Sequence, residues 1–325
     1  MDLLQEINKR IEALGASAVR DGLAAIVQHI EVAERHLANA RREAREEYFN
    51  DVLYRTNQAY EGMLREAYTV LVGKPPSNLS THGIEQFLLR QGILSERAID
   101  LLKNYRQNWR NPSTHDHRLV FRDHEAVLAI VSVSSFAVVL LERVIGAASF
   151  AEAEKEGKKP VPLPPATKHK PLADRLAQLV RQFGTAYVTA DFVRAPYFES
   201  QLLGQLRAFI AAAEPALSAT PEASIGGKSG IKADMLIQDG DETVLLELKR
   251  RIATEDSFES ALSQVTHYLA KAGLKDGILF APPWTLGEDL TINEVAREQD
   301  GNSVRILAVL PPLARGRRQS GPSAA

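Results

Sequence analysis

Two short stretches of this chain carry side chains that a fold does not need merely to hold itself together. The first is Trp109-Arg110-Asn111-Pro112-Ser113-Thr114-His115-Asp116-His117, set between long apolar segments. Arg110 and His115 are spaced so that both can address one phosphate. A guanidinium fork grips its oxygens, and an imidazole moves a proton near neutral pH. The second is Asp234 with Glu247-Leu248-Lys249. Paired carboxylates hold Mg²⁺ through oxygen ligands and leave coordination positions for water and phosphate, while an ammonium steers or helps deprotonate the attacking water. Both are chemistries of phosphodiester cleavage.

The elements around each stretch decide whether its residues can meet. Residues 1–150 read as helices: Asp2–Leu14, then Ser17 to about Glu47, Phe49–Val72, Thr81–Arg90, Ser95–Asn108, and an apolar helix ending near Gly146. Apolar residues recur at helical spacing, as in Leu23, Ile26, Val27, Ile30, Ala33 and Leu37. Gly73 and Pro75-Pro76 stop the third segment, Ser80 and Ser95 are N-cap candidates, and Asp123 is placed to cap the last. Pro112 ends the helix before it, so Arg110 lies near a helix C-terminus and His115 in the turn beyond. Asn57, Glu61, Leu64 and Tyr68 share one side of Phe49–Val72. Either Asn57 and Glu61 sit at the edge of that stripe in water, or Glu61 pairs with a half-buried cation, for which Arg110 is the candidate. The plain alternative for Arg110 and His115 is a helix–helix turn in which the Arg caps carbonyls and the His packs on Trp109. His115, His117 and His124 lack a tight metal-ligand spacing.

The second half changes period. Ala151–Pro171, charged and then proline-rich, reads as an extended, semi-rigid linker. Pro171–Phe183 and Pro196–Ala213 read as helices, the latter with Glu199 in its first turn, and Tyr187–Val193 as a short strand. Ile231–Gln238 and Glu242–Arg250 are β-like runs joined by Asp239-Gly240, a strong two-residue hairpin signal. With those two as the loop, Gln238 pairs with Asp241 and Asp234 lies opposite Leu245. Strand alternation then puts Glu247 and Lys249 on the face of Asp234, whereas a three-residue loop would put Asp234 on the other face. Asp256–Ala272 follows as a helix, then strands Gly277–Ala281 and Val304–Leu310 with a helix around Leu290–Gln299 between them. Gly226-Gly227-Lys228-Ser229-Gly230 lacks phosphate-loop spacing and reads as a flexible, basic loop near this site. Leu313–Ala325 reads as a disordered tail.

Composition narrows the class. The 325 residues suit two domains, and 45% hydrophobic with 25% charged content is that of a globular protein. No cysteine is present, which excludes disulfides and thiolate metal sites and fits a cytoplasmic location. The start Met1-Asp2-Leu3-Leu4-Gln5-Glu6 is not a secretion signal. Val127–Leu141 is too short to span a bilayer and reads as a buried helix, so no membrane partner is expected. A net charge of -2 means that any nucleic-acid contact must come from local basic patches.

With these residues in view, two family resemblances emerge. Arg110-Asn111-Pro112-Ser113-Thr114-His115, with the upstream helix Tyr54-Arg55-Thr56-Asn57-Gln58-Ala59-Tyr60-Glu61, resembles the Arg-x4-His ribonucleases of the HEPN family over roughly residues 45–148. The resemblance implies a helical bundle that forms a homodimer, and metal-independent RNA cleavage by attack of the 2′-hydroxyl on the adjacent phosphate. His115 would exchange the proton, Arg110 would hold the developing charge, Asn111 would orient the loop or the scissile group, and Glu61, with Asn57 on the same helix face, would hold Arg110. Asp234 with Glu247-Leu248-Lys249, followed by Gln264 and Tyr268 on the next helix, resembles the PD-(D/E)xK restriction-endonuclease-like nucleases over about residues 195–285. It implies an α/β domain with Mg²⁺ on Asp234 and Glu247, Glu199 being a candidate additional acid.

The fold expected is therefore multidomain: an all-α HEPN-like bundle at 1–150, a linker at 151–171, an α/β restriction-endonuclease-like domain at 172–312, and a tail at 313–325. The function expected is a two-domain nuclease acting on RNA, DNA or both, in a prokaryotic defence or toxin setting. The rival readings are one active centre with the other domain serving dimerisation or nucleic-acid binding, and a non-catalytic nucleic-acid-sensing scaffold.

Overall fold

The computed structural model describes residues 2–14, 18–94, 96–111, 120–156, 160–187, 198–226, 231–285, 287–299 and 301–313. His115, Ser95, the loop at 227–230, most of the Tyr187–Val193 stretch and residues 314–325 lie outside the described residues. The chain divides into two compact units, Met1–Ser149 and Phe150–Ala325. The first is helical, and the second combines helices with a six-stranded mixed sheet.

The helical unit contains α1 (Leu3–Glu12), α2 (Ala18–Glu43), α3 (Glu47–Val72), α4 (Thr81–Arg90), α5 (Glu96–Tyr105) and α6 (Asp123–Glu156). A π-helical turn, Arg106–Arg110, continues α5. α2 and α3 are separate because the chain turns at Ala44, whose φ is +52°. Gly73 ends α3 in the left-handed conformation its missing Cβ allows, and Ser80 caps α4 by accepting from Gly83 N–H. Asp123 does not cap α6. Its carboxylate pairs with Arg41 of α2, while Glu125 accepts from Arg122 N–H at the helix start. The core is centred on Tyr60 of α3, whose ring stacks on Tyr105 at 4.7 Å and tilts against Phe136 of α6 at 5.4 Å.

α6 is the one described helix long and apolar enough to cross a membrane, with mean hydropathy 2.1 over its most apolar window. More than half of that window is buried within the protein, so the helix is accounted for as the core helix of the bundle. It runs to Glu156, well past Gly146. The region expected to be an extended spacer is therefore partly structured. Its first residues complete α6, Pro165–Lys168 form one helical turn (α7), and Leu163 is buried in the core of the second unit. Proline favours extended chain in general but is well suited to the first turn of a helix, where Pro165 sits.

In the second unit, α8 (Leu172–Tyr187) and α9 (Glu199–Ala213) are followed by β1 (Ser218–Ile225), β2 (Ile231–Asp239), β3 (Glu242–Leu248), α10 (Glu255–Ala272), β4 (Asp276–Phe280), β5 (Thr291–Gln299) and β6 (Asn302–Leu310). The sheet order is β1-β2-β3-β4-β6-β5. β3, β4 and β6 are parallel neighbours, and the remaining pairs are antiparallel. One face packs on α8 and α9 through Met235, Ile237, Leu246 and Phe280, and the other on α10 through Leu245, Leu279 and Ile306. β1 was not foreseen. Leu313, expected in the tail, packs against the α10 side.

Two sequence expectations are corrected here. The helix expected around Leu290–Gln299 is the edge strand β5, paired with β6 from Thr291↔Leu310 to Gln299↔Asn302. Gly301, between β5 and β6, has φ +77°, a left-handed conformation suited to a tight turn. The β2–β3 hairpin has a two-residue loop, but the loop is Gly240-Asp241, with Asp239 opposite Glu242. Positive φ falls on Gly240 alone, the pattern of a II′ turn, which takes Gly first. Side chains on the flanking pair fasten it: Asp239 accepts from Arg175 and Glu242 accepts from Leu172 N–H, both on α8.

α10 starts with a capping box between Thr254 and Ser257. Thr254→Ala is expected to destabilise the second unit by about 1 kcal/mol, measured as a lower denaturant midpoint for loss of the sheet signal. An unchanged midpoint would show that α10 does not depend on this cap.

Candidate functional site

The β2–β3 register decides the second centre. Continuing it past Met235↔Leu246 sets Asp234 opposite Glu247 rather than opposite Leu245. The shift is by two residues, so parity is kept and Asp234 stays on the face of Leu245, Glu247 and Lys249. This is the face covered by α10.

Asp234 Oδ2 accepts from Leu248 N–H at 2.7 Å. Glu247 is only 4% exposed. Its Oε1 accepts from Lys249 Nζ at 3.0 Å and from Gln264 Nε2 at 2.9 Å. Gln264 also donates to the Tyr268 hydroxyl at 2.8 Å, so the α10 pair acts as one brace behind the carboxylate. Glu247 Oε2 is buried and has no protein partner. A buried carboxylate oxygen without a donor is costly and is the feature a cation would satisfy. Burial, and then the charge of Glu247, pushes the Asp234 carboxyl upward. Burial likewise pushes Glu247 up against the opposing pull of Lys249. Glu199, at the start of α9, is exposed and close enough to add repulsion to both.

These residues fit a hard divalent cation. Among the described residues no group of three His or acidic side chains forms a ready-made metal nest. Mg²⁺ commonly takes only one or two carboxylates and keeps several waters. Asp234 and Glu247 supply two carboxylates, and the orphaned Oε2 supplies a free ligand position.

In the helical unit, Arg110 lies in the last turn of the π segment. Its Nη2 is 3.4 Å from Glu61 Oε1, and its Nη1 donates to Asn111 Oδ1 at 3.2 Å. Of the two readings of Glu61, pairing with Arg110 is the one observed. Asn57 accepts from the Tyr105 hydroxyl at 2.9 Å, which ties this face of α3 to α5.

A second constellation next to Arg110 escaped the sequence reading. Glu85 of α4 is 2% exposed. It accepts from the Tyr60 hydroxyl at 2.8 Å and from Arg106 Nη1 at 2.5 Å, with His82 Nδ1 3.6 Å away. Burial and the neighbouring Glu85 charge push the Tyr60 hydroxyl upward, so it stays a donor. Among the described residues, His82, Glu85, Arg106, Gln107, Arg110 and Asn111 line one cleft of about 420 Å³. The signal was present in α4, where Thr81, Ile84, Glu85 and Leu88 occupy a single buried helical stripe, so Glu85 stands at a core position.

The raised carboxyls give a signed prediction. Both hold protons to higher pH in the folded protein than in the unfolded chain. The pair therefore favours folding below the unfolded carboxylate range near pH ~4 and loses that contribution as pH rises through the raised native values. At neutral pH without metal, Asp234→Asn is expected to raise the melting temperature by about 2–4 °C, the shift of roughly 1 kcal/mol in a domain of this size. Mg²⁺ is expected to raise the melting temperature of the unaltered protein and not of the variant. A drop in the metal-free melting temperature of the variant would contradict this account.

Compared with protein-family models, curated proteins and solved structures, the chain matches none.

Proposed function

We propose that this chain is a two-part nuclease, with a HEPN-like helical bundle that cuts RNA without metal and a restriction-endonuclease-like unit that hydrolyses phosphodiesters with Mg²⁺. The observation that carries the proposal is Glu247. It is a buried carboxylate held on one oxygen by Lys249 and Gln264, unpartnered on the other, with Asp234 beside it. A structural ion pair has no use for an unsatisfied buried oxygen, whereas a cation site does.

In the second unit Asp234 and Glu247 would be the protein ligands. Bound there, Mg²⁺ supplies Lewis-acid polarisation of the phosphate and a water of lowered pKa. Lys249 lies at the exposed side of the pair, 27% accessible, where its ammonium can orient a water or stabilise the phosphate. Gln264 and Tyr268 fix the Glu247 carboxylate so that one oxygen stays available.

For the helical unit, the supporting observation is Arg110 clamped by Glu61 and Asn111 on a π turn, a distortion frequent at functional sites. In this reading Arg110 stabilises charge on the scissile phosphate and His115 transfers the proton. A homodimer through the helical unit, and a role in prokaryotic defence or as a toxin, belong to the same proposal by family analogy alone.

One set of incubations tests it. RNA and DNA are each mixed with the protein in Mg²⁺ and in EDTA. RNA cleavage is expected to survive EDTA, to leave 2′,3′-cyclic phosphate ends, and to fall at least ~100-fold in His115→Ala, the loss typical of a removed general acid–base. Mg²⁺-dependent cleavage of DNA is expected to be lost in Lys249→Ala and Asp234→Asn. Binding of both nucleic acids with no cleavage under any condition would replace the nuclease reading with that of a scaffold.

A further inference from the structure

We propose that Arg106, backed by Glu85 and flanked by Gln107 and His82, is a second phosphate-binding position that holds the nucleotide next to the one gripped by Arg110 on a single-stranded RNA. The inference deepens the ribonuclease reading of the helical unit and rests on it.

Placement is the first argument. Arg106 and Arg110 bracket one π turn, closed by Asn111 N–H donating to Arg106 carbonyl. In an α-helix the residue four further on is rotated by about 40° and raised by about 6 Å. The wider π turn reduces that rotation, so both guanidiniums face the same cleft. The offset along the axis is below about 6 Å, the rise of four α-helical residues, within the reach of two long side chains addressing successive phosphates of one strand.

Preorganisation is the second. A long, cationic side chain at a surface costs entropy to fix. Here the cost is met beforehand, because Glu85 is buried and its other oxygen is held by Tyr60 at the centre of the core. Arg106 is itself only 21% accessible. Among the described residues Glu85 is the polar partner of its guanidinium, through Nη1, which leaves Nε and Nη2 for a ligand. A guanidinium has five donors in a fixed fork, so pairing one edge aims the rest.

Chemistry of the rim is the third. Gln107 and His82 are exposed at the cleft and add neutral or cationic donors beside Arg106. The cleft, about 420 Å³, is large enough for a nucleotide. Its donors match phosphate oxygens, and the Glu85 carboxylate lies at the buried end, behind the more exposed Arg106 fork.

The test uses the full chain and a fluorescein-labelled single-stranded decamer RNA, fully 2′-O-methylated so that it cannot be cut by its own 2′-oxygen. Anisotropy is measured across a salt series for the unaltered protein, Arg106→Gln, and the double variant Glu85→Gln/Arg106→Gln, which removes both members of the buried pair and so leaves no uncompensated charge. Expected are binding weakened about tenfold at low salt and a log–log salt slope shallower by about 0.7, the value for one lost phosphate contact on a single strand. Gln107→Ala is expected to weaken binding without changing the slope, since it removes a neutral donor. In parallel, cleavage of the unmethylated RNA is expected to show a raised KM in the Arg106 variants. An unchanged slope and an unchanged KM in a folded Arg106 variant overturn the proposal, even where the unaltered protein cuts RNA. Saturable binding of inorganic phosphate with no binding of the RNA overturns it as well, assigning the cleft to a free anion. RNA binding with the expected slope change but no cleavage leaves the phosphate position standing and removes the ribonuclease reading instead.

Discussion

A carboxylate taken out of water must be answered by donors or cations, and this constraint organises both halves of the molecule. Among the described residues only two charged side chains are buried, Glu85 in the helical unit and Glu247 in the sheet unit. Each lies on the buried stripe or face of its element. Each draws a cation from a neighbouring position and a hydroxyl or amide from a packed element. The polar clusters that surround them are the consequence of placing an acid where a core residue would be expected.

The two are satisfied to different degrees. Glu85 has both oxygens engaged, one by Tyr60 and one by Arg106, so its role is to hold a guanidinium at the edge of a cleft. Glu247 has one oxygen engaged twice and the other not at all. Its neighbour Asp234 is spent in part on a backbone N–H and carries a raised pKa through burial and the Glu247 charge. A completed network rigidifies, while an incomplete one, costly on its own, becomes favourable when a dication arrives. The proposed roles follow from this difference: a held guanidinium in the helical unit is assigned to an anion, and an open carboxylate oxygen in the sheet unit to a cation.

Much of this was legible in residue order. Helical periodicity located the α-helices of the first unit within a few residues, except the end of α6, which runs on from Gly146 to Glu156; Gly73 and Ser80 marked helix ends, and alternation placed Glu247 and Lys249 on one face. The turn chemistry was misread in detail. Asp239-Gly240 fits a I′ hairpin, but the chain uses Gly240-Asp241 because α8 holds Asp239 and Glu242 on the flanking pair. The face survived because the error was an even number of residues. The β5 strand was hidden for a different reason: its burial alternates only weakly at a sheet edge, and Glu294, Arg297 and Glu298 resemble a solvated helix face, although Asp300-Gly301 was there to be read as a turn.

By itself, the order of residues determined which side chains could do chemistry and which local partners they had, since these follow from periods of 2 and 3.6 and from the intrinsic chemistry of Arg, His, Asp, Glu and Lys. It determined that Glu247 and Lys249 share a face and that Gln264 and Tyr268 share another. Only the tertiary structure decided that Glu61 meets Arg110, that Glu85 is sunk beneath Arg106, and that one oxygen of Glu247 is left without a donor. The reason is physical: burial and pairing between elements depend on how helices and strands pack across large separations in sequence, and no local pattern encodes the solvent that packing removes.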